Sequence, residues 1–167
     1  MEDKPKDIEF AIEENLILVN EEVSDRKEII NKLGKLLYDY GFVKESFTQA
    51  VLEREEEYPT GLNARVTGVA VPHTDTIHVL KPAVAIATLK NPVIFHGMGA
   101  PETEVEVRVV LMLAVHNPKE VVNILRKIIF VIEDDEAMRK ILTANTKKEI
   151  KDVLKEHIQF LTKKMGV

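Results

Sequence analysis

The alternation of apolar and polar positions predicts one strand and two helices in the first third of the chain. Residues 15–20 (NLILVN) have the apolar character of a short buried strand. Ser24 offers an N-cap, and apolar residues then recur at helical spacing until Gly41. A second helix is predicted over residues 44–57, because one face of this segment is apolar.

Strands dominate the middle of the chain, and helices follow them. Separated by loops that contain Pro or Gly, strands are predicted at residues 68–72, 83–89 and 105–115. Helical periodicity returns later, at residues 121–132 and 137–142, and a Thr-x-x-Glu capping box at Thr146 opens a last helix. This order of elements predicts an α/β (α+β) fold in a single domain, with a sheet covered by helices.

Composition restricts the chemistry that the chain can perform. The chain has 167 residues, 45% of them apolar, which is enough for one domain with a buried core. Cysteine is absent, so disulfides, zinc–thiolate sites and thiol nucleophiles are excluded. Any chemistry therefore uses oxygen or imidazole groups.

Charge and hydropathy argue against several classes of partner. The formal net charge is −5, and no Lys/Arg cluster with interleaved aromatic residues is present, so we expect no binding to nucleic acid. The longest apolar run, residues 109–115, is far shorter than the roughly 20 residues of a membrane helix. We therefore expect no direct membrane insertion. The charged N-terminus, residues 1–10, lacks an apolar signal region, which predicts a cytoplasmic protein.

The segment TGVAVPHTDTIH carries the strongest candidate for chemistry, His73. Pro72 has no backbone N–H and a fixed φ, so strand pairing is expected to end there and the imidazole to project from the end of the strand. Strand ends are where α/β proteins commonly place reacting groups. An imidazole can act as a base, a ligand or a nucleophile. From spacing alone, a functional and a structural role have equal weight.

Two further histidines could meet His73. His116 follows the predicted strand 105–115 and therefore also lies at a strand end. His78 comes five residues after His73, across a short polar turn that could fold back beside it. For His116, a role as a loop or capping residue is an equal alternative.

Arg54 supplies a cation on the inward stripe of the second helix, in register with Phe47 and Val51. One interpretation is a salt bridge to a carboxylate of the adjacent EREEEYP segment. The other is a phosphate, whose oxygens accept two parallel bonds from a guanidinium group. Thr60, in the YPTG loop that follows, could add a hydroxyl donor to the same anion.

Three motifs together carry a family resemblance. VLEREEEYPTGL, GVAVPHTDTIH and LMLAVHNP before an apolar helix resemble the enzyme IIA (EIIA) component of the bacterial phosphoenolpyruvate-dependent sugar phosphotransferase system (PTS), in its fructose/mannitol superfamily. The sequences REEEYPTG and PHTDTIH are most similar to the galactitol-type branch. The resemblance covers residues 14–160, within a single EIIA type 2 domain that we expect to span residues 1–167.

The resemblance implies a mixed β-sheet flanked by helices on both faces, and a phosphocarrier that needs no cofactor or metal. His73 would accept a phosphoryl group from the phosphorylated histidine phosphocarrier protein HPr and pass it to a IIB component. Arg54 and Thr60 match the family's arginine and loop threonine near that histidine. A IIB cysteine would have to lie on a separate chain, because this chain has none. The membrane channel would belong to a IIC component, with which contact is indirect.

One departure from the family concerns the second active-site histidine. In mannitol- and nitrogen-type relatives it stands where this chain has Glu120, so His116 comes about four residues early. His78 matches the galactitol-type motif and is the alternative partner of His73. Both assignments stay open at this point.

Two other functions compete with the phosphocarrier. The first is a regulatory EIIA-like module, whose phosphorylation state controls binding to other proteins. The second is a metal-dependent hydrolase, in which His73, Asp75 and His78 ligate a divalent ion together with His116.

Overall fold

A five-stranded sheet organises the chain in the computed structural model, which describes residues 11–164. Its strands are β1 (Ile17–Glu21), β2 (Gly61–Asn63), β3 (Gly68–Ala70), β4 (Ala83–Gly97) and β5 (Ala100–Ala114). The α-helices of the described residues are α1 (Arg26–Asp39), α2 (Phe47–Glu57), α3 (Val121–Glu133), α4 (Asp135–Thr143) and α5 (Lys147–Lys164).

The sheet is mixed and is covered by helices on both faces, which confirms the predicted fold class. β1 is parallel to β4 and β3 is parallel to β5, whereas β4 with β5 and β2 with β3 are antiparallel pairs. The buried residues of α1 and α2 form one apolar cluster with the sheet, and those of α3, α4 and α5 form a second. A central layer of strands between two layers of helices is the result.

The apolar stretches of β4 and β5 supply both clusters. Successive side chains of a strand point to opposite faces. In β5, Val110 and Met112 therefore belong to the cluster of α1 and α2, whereas Leu111 and Leu113 belong to the other. The strand begins exposed at residues 101–104 and becomes wholly buried toward its end. β5 thus passes from an exposed end into a position that is covered on both faces.

The loops predicted at residues 90–92 and 96–102 are wrong except at the turn itself, because β4 and β5 continue as a long hairpin. The turn lies at Met98 and Gly99, and Gly99 has a φ of 72°. Pro92 does not end β4, since the pairing with β5 shifts register between Thr88 and Val93. Such a bulge removes the need for an N–H at the proline.

Two smaller features also differ from the sequence prediction. The N-cap of α1 is Asp25, whose side chain accepts a hydrogen bond from the Glu28 N–H at 2.9 Å. Ser24 instead donates to the Glu28 carboxylate from both its backbone and its hydroxyl group. β2, with three residues, was not predicted because so short a segment shows no measurable alternation.

The parallel pairing of β3 with β5 determines where His73 emerges. The carboxyl ends of two parallel strands meet at the same edge of a sheet. Beyond the last residue of β3, the Leu113 N–H still donates to the Pro72 carbonyl at 3.1 Å. This hydrogen bond to Pro72 keeps the next residue, His73, at the edge of the sheet. Gly68 begins β3 close to β5, where a Cβ atom would overlap the Glu106 carbonyl oxygen.

Gly68→Ala is therefore expected to destabilise the fold by about 2 kcal/mol or more, because backbone atoms of β5 must move to admit the methyl group. Gly99→Ala is the matched control: its Cβ has open space, and only its positive φ adds strain, of about 1 kcal/mol. Urea denaturation measures both free energies of unfolding. A smaller loss for Gly68→Ala than for Gly99→Ala would contradict the close approach of β3 to β5.

Candidate functional site

A cleft opens at the edge of the sheet where β3 ends. Its volume is about 290 Å³, and it lies between the end of α2, the segment that follows β3 and the start of α3. The side chains that line it are Arg54, His73, Thr74, Asp75, Thr76, Ile77, Pro118 and Val121. The structure thus brings together two of the predicted site residues, His73 and Arg54.

His73 is half-buried, and a backbone carbonyl fixes the orientation of its ring. The Nδ1 atom lies 2.8 Å from the Val71 carbonyl oxygen. A carbonyl oxygen only accepts, so Nδ1 carries the hydrogen and donates it. In the neutral ring, Nε2 then holds the free lone pair. The ring is prepared to act as a base or a nucleophile through Nε2.

The surroundings of His73 lower the pKa of its imidazole below the usual 6.5, and burial is the main cause. The hydrogen bond to Val71 opposes this effect, the positive charge of Arg54 adds to it, and the negative charge of Asp75 opposes it. The ring is consequently neutral near pH 7, the state in which a nitrogen lone pair is available.

Arg54 lies in the last turn of α2, and its guanidinium Cζ atom stands 5.3 Å from the centroid of the Tyr58 ring. Its Nε atom is buried, and no hydrogen-bond partner for it is found among the described residues. Two of the nearby carboxylates have other partners, since Glu56 pairs with Arg26 at 2.9 Å and Glu55 bonds Thr60. No ion pair of Arg54 occurs within residues 11–164, so the predicted alternative of a salt bridge is not observed. A buried donor of this kind favours an anion in the cleft.

Thr60 is buried behind the cleft and is not one of the residues that line it. Its hydroxyl group donates to the Glu55 carboxyl group, whose two oxygens lie at 2.9 and 3.0 Å. The Thr60 backbone N–H donates to the same group at 2.9 Å. The hydroxyl oxygen in turn accepts from the Val71 N–H at 3.2 Å. The predicted direct bond from Thr60 to an anion would require its hydroxyl proton to leave Glu55.

Sequence reasoning missed Glu55, which is 5% exposed. Burial is the main cause that raises the pKa of its carboxyl group, and the two hydrogen bonds from Thr60 partly oppose this. In the run EREEEYP, one buried carboxylate cannot be told from its solvated neighbours. The available signal was its position, four residues after the buried Val51 on the inward stripe of α2.

Neither of the two other predicted histidines lines the cleft. His78 ends a short 3₁₀ turn, and its Nδ1 atom lies 2.8 Å from the Ser46 hydroxyl oxygen, in the connection between α1 and α2. Its carbonyl oxygen accepts from the Lys44 N–H at 2.9 Å. His116 is exposed just after β5, at the same sheet edge as His73. An assisting role for either imidazole stays a prediction.

Two further features of the described residues bear on the other functional classes. Within residues 11–164, no three His, Asp or Glu side chains converge as a metal site. None of the helices in the part of the chain that the structure describes is long and apolar enough to cross a membrane.

Comparison with known sequences identifies the relatives of this chain. The profile of the family described as "Phosphoenolpyruvate-dependent sugar phosphotransferase system, EIIA 2" matches residues 10–157. The galactitol-specific EIIA component of the PTS of Escherichia coli K12 is 28% identical over 119 residues, which are 71% of this chain and 79% of that protein. The mannitol-specific phosphotransferase enzyme IIA component of Staphylococcus aureus N315 is 31% identical over 143 residues, 84% of this chain and 92% of that protein.

A solved structure shows the same fold. The complex of enzyme IIAMTL and phosphorylated enzyme IIBMTL from Escherichia coli contains a chain that superposes with a TM-score of 0.73 at 22% identity, covering 88% of this chain and 99% of that one. EIIA components of the PTS are phosphotransferases that act through a phosphohistidine. By its sequence profile and its relatives, this chain belongs to the EIIA type 2 family of the phosphoenolpyruvate-dependent sugar phosphotransferase system.

Proposed function

We propose that His73 carries the phosphoryl group when this EIIA chain acts as a phosphocarrier. One observation carries the proposal: His73, with a free Nε2 atom, and Arg54, with an unpaired buried Nε donor, line the same cleft. The first supplies a nucleophile and the second a fixed positive charge. Phosphoryl transfer requires little beyond alignment of the reacting atoms and stabilisation of the charge on the phosphoryl oxygens.

In the transfer step, the Nε2 lone pair of His73 forms the new N–P bond as the N–P bond of the donor breaks. The electron pair of the broken bond stays on the donor's ring nitrogen. The Nδ1 proton of His73 is retained and remains donated to the Val71 carbonyl oxygen. The phosphorylated ring is therefore positively charged, and this makes it a good leaving group for the next transfer. Arg54 stabilises the negative charge on the phosphoryl oxygens, so the step uses no metal or cofactor.

EIIA domains pass phosphoryl groups to a IIB component, and we infer that this chain does so with a IIB component on a separate polypeptide. None of the 167 residues is a cysteine, so a IIB cysteine that accepts the phosphoryl group would lie outside them. HPr is the proposed donor, the IIC membrane component is an indirect partner, and the cytoplasm is the proposed location. The surface near the cleft suits a protein partner, since Ile77 and Val122 are 68% and 64% exposed.

The comparisons do not favour the two competing functions. The curated relatives described above are sugar-specific EIIA components, which supports transport over a purely regulatory module. The family relationship likewise does not favour a metal-dependent hydrolase. The two relatives act in systems named for different polyols, galactitol and mannitol, so the phosphocarrier role is what they share.

The acceptor is tested by intact-mass measurement after incubation with phosphoenolpyruvate, enzyme I and HPr. We expect one acid-labile phosphoryl group on the wild type and none on His73→Ala, because no other nucleophile replaces Nε2. His96→Ala is the matched control and should be phosphorylated like the wild type, since His96 lies on β4 and bonds Pro101. A phosphorylated His73→Ala protein would rule out His73 as the carrier.

Arg54→Ala should slow phosphorylation of the chain on the order of 100-fold, because a preorganised donor to the phosphoryl oxygens is lost. Rapid-quench kinetics with phosphorylated HPr measure the rate. The thermal unfolding midpoint should stay close to that of the wild type, since the removed Nε donor has no partner within the described residues. The exposed Arg139 provides the matched control, Arg139→Ala, with an unchanged rate.

The same variant has a second readout in the His73 titration. The positive charge of Arg54 disfavours a protonated ring, so its removal should raise the pKa of His73 toward the usual 6.5. NMR titration of the His73 ring follows this change, and Arg139→Ala should leave the pKa where it is. A normal transfer rate together with an unchanged pKa in Arg54→Ala would remove the arginine from the site.

A further inference from the structure

A line of hydrogen bonds runs through the interior behind the cleft and ends at His73. It begins at the buried Glu55 carboxyl group, which accepts from the hydroxyl and backbone N–H of Thr60. It continues from the Val71 N–H to the Thr60 hydroxyl oxygen. It ends where His73 Nδ1 donates to the Val71 carbonyl oxygen. The transfer chemistry described above uses the last bond and leaves the first three unexplained.

The backbone at Val71 needs support from outside the sheet. β3 ends at Ala70, so the Val71 N–H lies just beyond the paired strand residues. The next residue is Pro72, which has no N–H to contribute. The Thr60 hydroxyl oxygen takes the place of a strand partner for Val71. The orientation of Val71, and of the carbonyl oxygen that holds His73, therefore depends on Thr60.

Glu55 determines how the Thr60 hydroxyl group points. A hydroxyl group has one proton, and its oxygen accepts well from Val71 only when that proton is directed elsewhere. The Glu55 oxygens, at 2.9 and 3.0 Å, receive it. Burial of a carboxyl group is unfavourable unless hydrogen bonds compensate it. Glu55 is buried and makes no ion pair within residues 11–164, so its role is consistent with orienting Thr60.

We propose that Glu55 and Thr60 are positioning residues for His73: they fix the Val71 backbone and thereby select the tautomer with hydrogen on Nδ1 and the lone pair on Nε2. This inference rests on the proposed function in one respect, namely that Nε2 is the acceptor atom. Neither residue touches the reacting atoms, and both act through Val71. Loss of the Thr60 hydroxyl group should release the ring toward the other tautomer, in which Nε2 carries hydrogen and cannot attack phosphorus.

The tautomer is measured directly by long-range ¹H–¹⁵N NMR of the His73 ring at a pH where it is neutral. Thr60→Val keeps the shape of the side chain and removes its hydroxyl group, whereas Thr60→Ser keeps the hydroxyl group and is the matched control. We expect the Nδ1–H tautomer alone in the wild type and in Thr60→Ser, and a mixture with the Nε2–H form in Thr60→Val. An Nε2–H form in the wild type would overturn the proposal without any variant.

Transfer kinetics give a second readout. Thr60→Val should lower the maximal rate of phosphorylation by roughly tenfold or more, because the acceptor atom is misaligned in part of the molecules. The apparent KM for phosphorylated HPr should not change, since the docking surface is intact. Thr60→Ser should restore the rate. A wild-type rate and a wild-type tautomer in folded Thr60→Val would contradict the positioning role.

Glu55→Gln provides a comparison if Thr60→Val does not fold. Its amide has one acceptor oxygen where the carboxyl group has two, so we expect a measurable fraction of the Nε2–H tautomer and a slower transfer. An unchanged tautomer in Glu55→Gln would count against the role of Glu55. The tautomer is read without any phosphorylation. If wild-type His73 were not phosphorylated, the proposed function would fail, while the tautomer spectra would still decide the role of Glu55 and Thr60.

Discussion

The hydrogen bond from His73 Nδ1 to the Val71 carbonyl oxygen is the interaction on which the site depends. An imidazole has two similar nitrogens, and a phosphocarrier needs one of them free and aimed into the cleft. The carbonyl oxygen makes that choice, because it binds only a nitrogen that carries hydrogen. The surrounding fold provides the conditions for this bond: β5 holds Pro72, Thr60 holds the Val71 N–H, and the end of β3 leaves the ring at the edge of the sheet.

The electrostatics of the site follow from the same placement. Burial and the charge of Arg54 keep His73 neutral by lowering the pKa of its ring. This lowered pKa also makes the free energy of unfolding depend on pH. Below pH 6.5 the unfolded chain binds a proton that the native ring resists, so the native state is destabilised as the pH falls through that value. Glu55 has the opposite linkage, since its pKa is raised. Between pH 4.5 and the raised pKa of the native state, the native carboxyl group retains a proton that the unfolded chain releases. Glu55 therefore disfavours the native state as the pH rises above 4.5.

Much of the fold could be predicted from the sequence because its long elements have strong periodicity. The segments that became α1, α3 and the buried part of β5 show it clearly, and the motif around His73 predicted the sheet edge. Local competition decided what was missed. Ser24 and Asp25 are both good caps, and only the structure shows that the Glu28 backbone N–H donates to Asp25. Pro92 looked like the end of a strand, but a bulge accommodates it.

The candidate site could be predicted only in part, since spacing gives the position of a residue and not the direction of its side chain. His73 and Arg54 were found because a strand end and a helical stripe fix where they lie. His78 is adjacent to His73 in sequence, yet its ring bonds Ser46. Thr60 was expected to donate to an anion, whereas its hydroxyl group donates to the buried Glu55. Glu55 lies in an acidic run, and only its position on the inward stripe of α2, four residues after Val51, indicates that its carboxyl group is buried.

The most direct measurement is to identify the nitrogen that bears phosphorus. The chain, labelled with ¹⁵N-histidine and phosphorylated through HPr, is examined by NMR for coupling between ³¹P and each ring nitrogen. The arrangement of Val71 and Arg54 predicts coupling to Nε2 of His73, with hydrogen still on Nδ1. Phosphorus on Nδ1 of His73, or on any other residue, would contradict this account.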